Sequence, residues 1–134
     1  MTCISNNPSS KINRNIFSEV ENAYSITLRE DIKTFLVNNS GGYPVKDMIS
    51  SDGDDYEVRV FLSLDDSDEY YYIQKPIDFF LAKTNGKIVP IGIDSGDNYF
   101  CVNNETGKVY YWSSGEDSYY YISNSLNDFV ELFV

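Results

Sequence analysis

The stretch KIVPIGIDSGDNYFCVNNETGKVYYW, residues 87–112, decides the architecture. Three runs rich in Val, Ile, Phe, Tyr and Trp (87–93, 98–102 and 108–112) read as strands. Between them stand Asp94-Ser95-Gly96-Asp97 and Asn104-Glu105-Thr106-Gly107, residue types that accept tight turns. Connections this short join neighbouring strands head to tail, so the spacing predicts an antiparallel meander.

Working outward, the period changes. Tyr56, Val58, Val60, Leu62 and Leu64 alternate with Glu57, Arg59, Phe61 and Ser63, which predicts another strand with acidic turns at its ends. Tyr70-Tyr71-Tyr72-Ile73 reads as its returning partner. Pro76 suits the first turn of a short helix that turns Ile77, Phe80 and Leu81 inward and ends at Asn85-Gly86. Upstream, Ile12, Ile16, Val20, Ala23 and Tyr24 form one helical stripe, with Ser9 or Ser10 as its cap. Thr27 and Glu30 have capping-box spacing before Leu28, Ile32, Phe35 and Leu36, and Gly41-Gly42 supplies the stop. Ser123 or Ser125 is placed to cap a last helix carrying Leu126, Phe129, Val130 and Phe133. The expected class is α+β: one domain over 11–134, after a loose lead at 1–10. Its largely antiparallel sheet is flanked by N-terminal helices, a short middle helix and a C-terminal helix.

Charge and composition exclude several functions. The 134 residues carry 10 basic and 21 acidic side chains, a net of −11. From Asp47 to Glu69 nine acids face one base, Arg59, so this segment supplies −8 of the total. Such a field repels phosphate backbones and anionic lipid and attracts cationic surfaces. Direct nucleic-acid or membrane binding is therefore not expected, whereas a basic protein partner is. Histidine is absent, which removes the commonest general base and metal ligand together. The two cysteines, Cys3 and Cys101, form neither a disulfide framework nor a metal spacing, which suits the cytoplasm. No catalytic residues, metal or cofactor are expected.

The candidate contact residues are therefore acids and aromatic rings: Asp52, Asp54, Asp55, Asp65, Asp66, Asp68, Glu69, Tyr70, Tyr72, Tyr111 and Trp112. Neither acidic run has the glycine-six, glutamate-twelve order of an EF-hand. Three successive tyrosines on a strand cannot all face one core, so Tyr71, or Tyr70 and Tyr72, must face outward or meet another layer. Exposed tyrosines beside clustered carboxylates have the make-up of a protein-binding surface.

Three ordered blocks resemble one family. They are Leu28-Arg29-Glu30-Asp31-Ile32-Lys33-Thr34-Phe35-Leu36 with Ser40-Gly41-Gly42-Tyr43-Pro44; Ile88-Val89-Pro90-Ile91-Gly92-Ile93-Asp94 with Gly96-Asp97-Asn98; and Gly107-Lys108-Val109-Tyr110-Tyr111-Trp112 with the segment 122–130. The set is similar to the SUKH superfamily and covers about residues 12–134. It departs from the family at Arg29, where proline is usual, and at Ser40, where asparagine is usual. The resemblance implies a non-catalytic immunity protein that binds and neutralises a cognate bacterial toxin domain, often a nuclease. The alternative that it implies is an intracellular regulatory scaffold of the cell-wall regulator type. Partner contacts in the family vary with the toxin, so no site residue is carried over.

Overall fold

The computed structural model describes residues 3–134; Met1 and Thr2 of the lead lie outside the described residues. The lead, expected to be loose, is pinned from Ile4 to Asn6. Ile4 is buried, and Ser5–Asn6 (β1) pairs antiparallel with Tyr43–Pro44 (β2). Asn39 provides the anchor. Its Oδ1 accepts from the Ile4 amide at 2.9 Å and the Ser5 hydroxyl at 3.0 Å, and its Nδ2 donates to the Phe35 carbonyl at 3.1 Å. A buried amide left unpaired would cost on the order of 1–3 kcal/mol, so the side chain and the strand specify each other. Gly42 makes the room. A Cβ there would lie 2.6 Å from the Ser5 hydroxyl oxygen and 3.0 Å from the Asn6 carbonyl oxygen. Gly42→Ala is expected to push β1 off and lower stability by about 1–3 kcal/mol, read from the midpoint of urea unfolding.

Asn15–Tyr24 (α1) and Glu30–Asn39 (α2) form where the stripes predict, burying Ile16, Phe17 and Val20 on one, Ile32, Phe35 and Leu36 on the other. Their caps differ from the expectation. Asn13 Oδ1, not a serine, takes the Asn15 amide at 3.2 Å. The Thr27–Glu30 box does not close. Instead the Leu28 amide donates to Glu21 Oε2 and the Arg29 amide to Asn104 Oδ1, each at 2.9 Å. Glu21 belongs to α1 and Asn104 to a turn whose amide is already bonded to the Lys87 carbonyl, so using them immobilises less new chain than tying down Glu30, whose side chain is 88% exposed.

Met48–Ser51 (β3) and Asp54–Glu57 (β4) form a hairpin across Asp52 and Gly53, with φ of 54° and 85°. Positive φ at both turn residues gives the twist that flanking strands need, and Asp-Gly adopts it readily. The alternation expected from Tyr56 to Leu64 stops there. Val60–Phe61 (β5) joins the large sheet, and residues 60–64 are all buried. The Leu62 amide donates to the Ile91 carbonyl, and the Phe61 amide donates to Gly42 on the opposite side. Backbone partners flank both edges, and with both faces buried the segment has no solvent side and loses its polar alternation.

The returning strand at Tyr70–Ile73 is a turn. Asp68 Oδ1 accepts from the Tyr70 and Tyr71 amides at 3.1 and 3.0 Å, which keeps these donors from any ladder. One parallel bridge, Ser63 to Tyr72, remains. Gln74–Lys83 (α3) follows, burying Ile77, Phe80 and Leu81 and ending at Asn85 and Gly86, both with positive φ.

Ile88–Ile93 (β6), Tyr99–Asn103 (β7), Val109–Ser113 (β8) and Ser118–Ser123 (β9) complete a five-stranded antiparallel sheet in the order β5-β6-β7-β8-β9. Leu126–Glu131 (α4) is capped by Ser125, whose hydroxyl accepts from the Asp128 amide at 3.0 Å. On one face Phe35, Phe61, Phe100, Phe129 and Phe133 pack at ring separations of 5.2 to 6.0 Å. A smaller cluster, Phe80 with Ile88, Cys101 and Trp112, fills the other.

Candidate functional site

Strand period sorts the aromatic residues of β8. Tyr110 and Trp112 point to one face and Tyr111 to the other, with Tyr119, Tyr120 and Tyr121 of β9 opposite Trp112, Tyr111 and Tyr110. Tyr111 meets the hairpin, its ring 5.0 Å from Tyr56 and 5.3 Å from Phe100. The hairpin is tied down at Ser51, whose hydroxyl donates to the Ile122 carbonyl at 2.6 Å. Asp54, Asp55, Tyr56 and Glu57 then line, with Tyr111 and Tyr120, an open groove of about 340 Å³.

The groove is held from outside. The Tyr111 hydroxyl donates to Asp94 Oδ2 and the Tyr120 hydroxyl to Glu116 Oε1, each at 2.6 Å. The two Glu57 oxygens accept from the Ser95 amide at 2.9 Å and its hydroxyl at 2.8 Å. Among the described residues, no Lys or Arg forms a salt bridge with Asp52, Asp54, Asp55 or Glu57. Negative charge without an ion pair therefore stands beside ordered rings, with the Ser50 hydroxyl donating to Asp55 and Arg59 feeling the charge of Glu57.

The second acidic run is compensated. Lys11 Nζ lies 3.4 Å from Asp66 and 3.8 Å from Asp65. Asp65 also accepts from the Ser67 amide at 3.0 Å and hydroxyl at 2.7 Å, and these bonds, with Lys11, hold its carboxyl below the usual carboxylate range. Asp68 caps its own turn, as described, which leaves Glu69 exposed. Tyr70 is 85% exposed, whereas Tyr72 is half-buried and accepts from Asn13 Nδ2 at 3.1 Å. Arg59 Nε donates to the Tyr71 hydroxyl at 3.1 Å.

The eleven candidates therefore do not form one patch. Asp52, Asp54, Asp55 and Tyr111 gather at the hairpin; Asp65, Asp66, Asp68, Glu69, Tyr70 and Tyr72 gather at the loop before α3. Trp112 belongs with neither. It is 7% exposed, 5.1 Å from Phe80, with Nε1 donating to Asp117 Oδ1 at 2.8 Å. Asp117 in turn takes Lys83 at 2.7 Å. Trp112 is a core residue whose edge reaches the surface. Sequence reasoning missed Tyr56, Glu57 and Tyr120, and Asp52-Gly53 was the signal that could have found the first two. Among the described residues, no three Cys, Asp or Glu side chains converge as metal ligands would.

The tyrosines give a pH signature. Burial, then the bond to Asp94, pushes the Tyr111 hydroxyl well above its ordinary value of 10.0, and burial pushes Tyr119 up to about 12. Folding thus favours the neutral rings. Their contribution is complete below the unfolded value and is lost as pH climbs from 10.0 through the raised folded values. Phenolate absorbance of these rings is expected to rise together with loss of the circular dichroism signal above pH 10.0, and not before it.

Architecture gives the class first: a single α+β domain that has, among the described residues, a mostly antiparallel sheet, four helices and no helix long and apolar enough to cross a membrane. Residues 11–132 match the model of the SMI1 / KNR4 family (SUKH-1), and the chain belongs to that family. It is also similar to the SPbeta prophage-derived uncharacterized protein YokK of Bacillus subtilis (strain 168), at 29% identity over 90 residues. That alignment covers 63% of this chain and 46% of YokK, so the chain spans about half the length of the curated relative it matches.

Proposed function

We propose that the protein is an immunity protein: it binds a cognate, positively charged toxin domain, such as a nuclease, and neutralises it without catalysis of its own. The observation that carries this reading is the hairpin groove, where Asp54, Asp55 and Glu57, none of them in a salt bridge among the described residues, stand with Tyr56, Tyr111 and Tyr120. Family membership and likeness to a prophage-derived protein support the immunity type. A nuclease must present Lys and Arg to phosphates, and a surface of carboxylates occupies the same ground. Charge and rings divide the work. Ion pairs that stay exposed at the rim are worth on the order of 0–1 kcal/mol each, so those acids chiefly speed docking and set orientation, whereas a carboxylate covered by the partner contributes more. Anchoring strength comes from rings, on the order of 2 kcal/mol or more for each one buried well at an interface.

The test is co-expression with the product of the adjacent open reading frame. A host that survives only when this protein is present, together with a co-purifying complex, is the expected result. No rescue and no complex would contradict the proposal.

A further inference from the structure

The composition of the hairpin groove narrows the kind of cation it fits. The groove is lined by Asp54, Asp55, Tyr56, Glu57, Tyr111 and Tyr120, and among the described residues no basic one lines it. Strand alternation puts Asp54 on the side of Tyr56 and turns the Asp55 carboxylate to the other, where it accepts from the Ser50 hydroxyl. Glu57 also lines a neighbouring groove with Lys46 and Arg59, and Arg59 feels its charge. The free negative charge beside the rings therefore rests mainly on Asp54, whose charge both Tyr56 and Tyr120 feel. Resting on the toxin-binding reading above, we infer that this groove seats an arginine side chain of the protein partner, the guanidinium lying against the tyrosine faces and pairing with Asp54.

Three features favour a guanidinium over other occupants. A planar, weakly hydrated cation stacks on aromatic faces and takes a carboxylate in a two-pronged bond, whereas a lysine ammonium is a compact and strongly hydrated point charge. The rings are set before the partner arrives, since the Tyr111 and Tyr120 hydroxyls are already engaged by Asp94 and Glu116, so little order is lost on docking. The groove is open, with Tyr120 40% exposed at its rim, so a side chain standing out from another protein can enter it. A net charge of −11 turns phosphate-bearing ligands away from the same opening.

The experiment is a chemical-shift titration of the intact, isotope-labelled chain at low salt with N-acetyl-arginine amide. The neutral isostere N-acetyl-citrulline amide and N-acetyl-lysine amide are run in parallel. Saturable shifts at the amides of 54–57, 111 and 120 are expected with the arginine probe. At least about tenfold weaker binding is expected for the citrulline probe, the difference one charge-assisted bond makes. The response should vanish in D54N and weaken in Y120A, with circular dichroism checking that each variant keeps the fold. No saturable shift, an equal response to lysine, or equal shifts over residues 65–69 would overturn the inference. Failure here is separable from failure of the proposed function: host rescue without arginine-specific shifts removes the groove and leaves neutralisation standing, and shifts without rescue do the reverse.

Discussion

Reversing Asp54 and Asp55 to lysine is expected to weaken capture of the toxin partner by at least about 100-fold. Each carboxylate lost to a cation at a partly desolvated contact removes about 1.5 kcal/mol or more, and each added lysine repels the same surface. Two such changes amount to about 3 kcal/mol, and every 1.4 kcal/mol is tenfold. The same reversal at Asp66 and Glu69 is expected to change affinity by less than about fivefold. Asp66 already faces Lys11 at 3.4 Å, and a rim charge alters association more than binding strength. Asp65 and Asp68 are left out of that control because both hold the loop together through backbone amides. Calorimetric titration of both double variants against the adjacent gene product measures the contrast, with circular dichroism showing that each remains folded.

Phe35→Ala is expected to remove about 3–5 kcal/mol of stability, against a total of about 5–15 kcal/mol for a domain of this size. Phe35 is fully buried, with Phe61 at 5.3 Å and Phe129 at 6.0 Å. It therefore ties α2 to β5 and α4, and its loss opens a cavity where all three meet. Tyr70→Ala, at a ring 85% exposed, is expected to change stability by less than about 0.5 kcal/mol. Urea unfolding of the two variants separates a core ring from a surface ring in a chain where aromatic residues occupy both.

The contrast between those two rings also shows where the sequence was legible. The meander from 88 to 113 was readable because its turns are marked by Asp, Asn and Gly and its strands by β-formers, all local signals. The inward faces of α2, α3 and α4 were readable for the same reason. Caps were not. Glu21 and Asn104 satisfy the entry to α2 from elsewhere in the chain, and no local pattern announces a partner 75 positions away. The strand expected at Tyr70–Ile73 failed because Asp68, two and three residues upstream, captured the amides that a ladder needs. Within the candidate surface, the identity of the charged residues was visible but their grouping was not. Whether Tyr111 and Trp112 share a surface depends on strand alternation and on which element covers each face, and α3 covers the face that Trp112 points to. Asp52-Gly53 was a hairpin signal in plain view, and it places the acids of β4 beside Tyr111.

Hydroxyl-radical footprinting of the complex with the adjacent gene product tests the account most directly. Tyr56, Tyr111 and Tyr120 are expected to lose reactivity on binding while Tyr70 keeps it. Protection of Tyr70 and the 65–69 loop, with the hairpin rings as reactive as in the free protein, would contradict it.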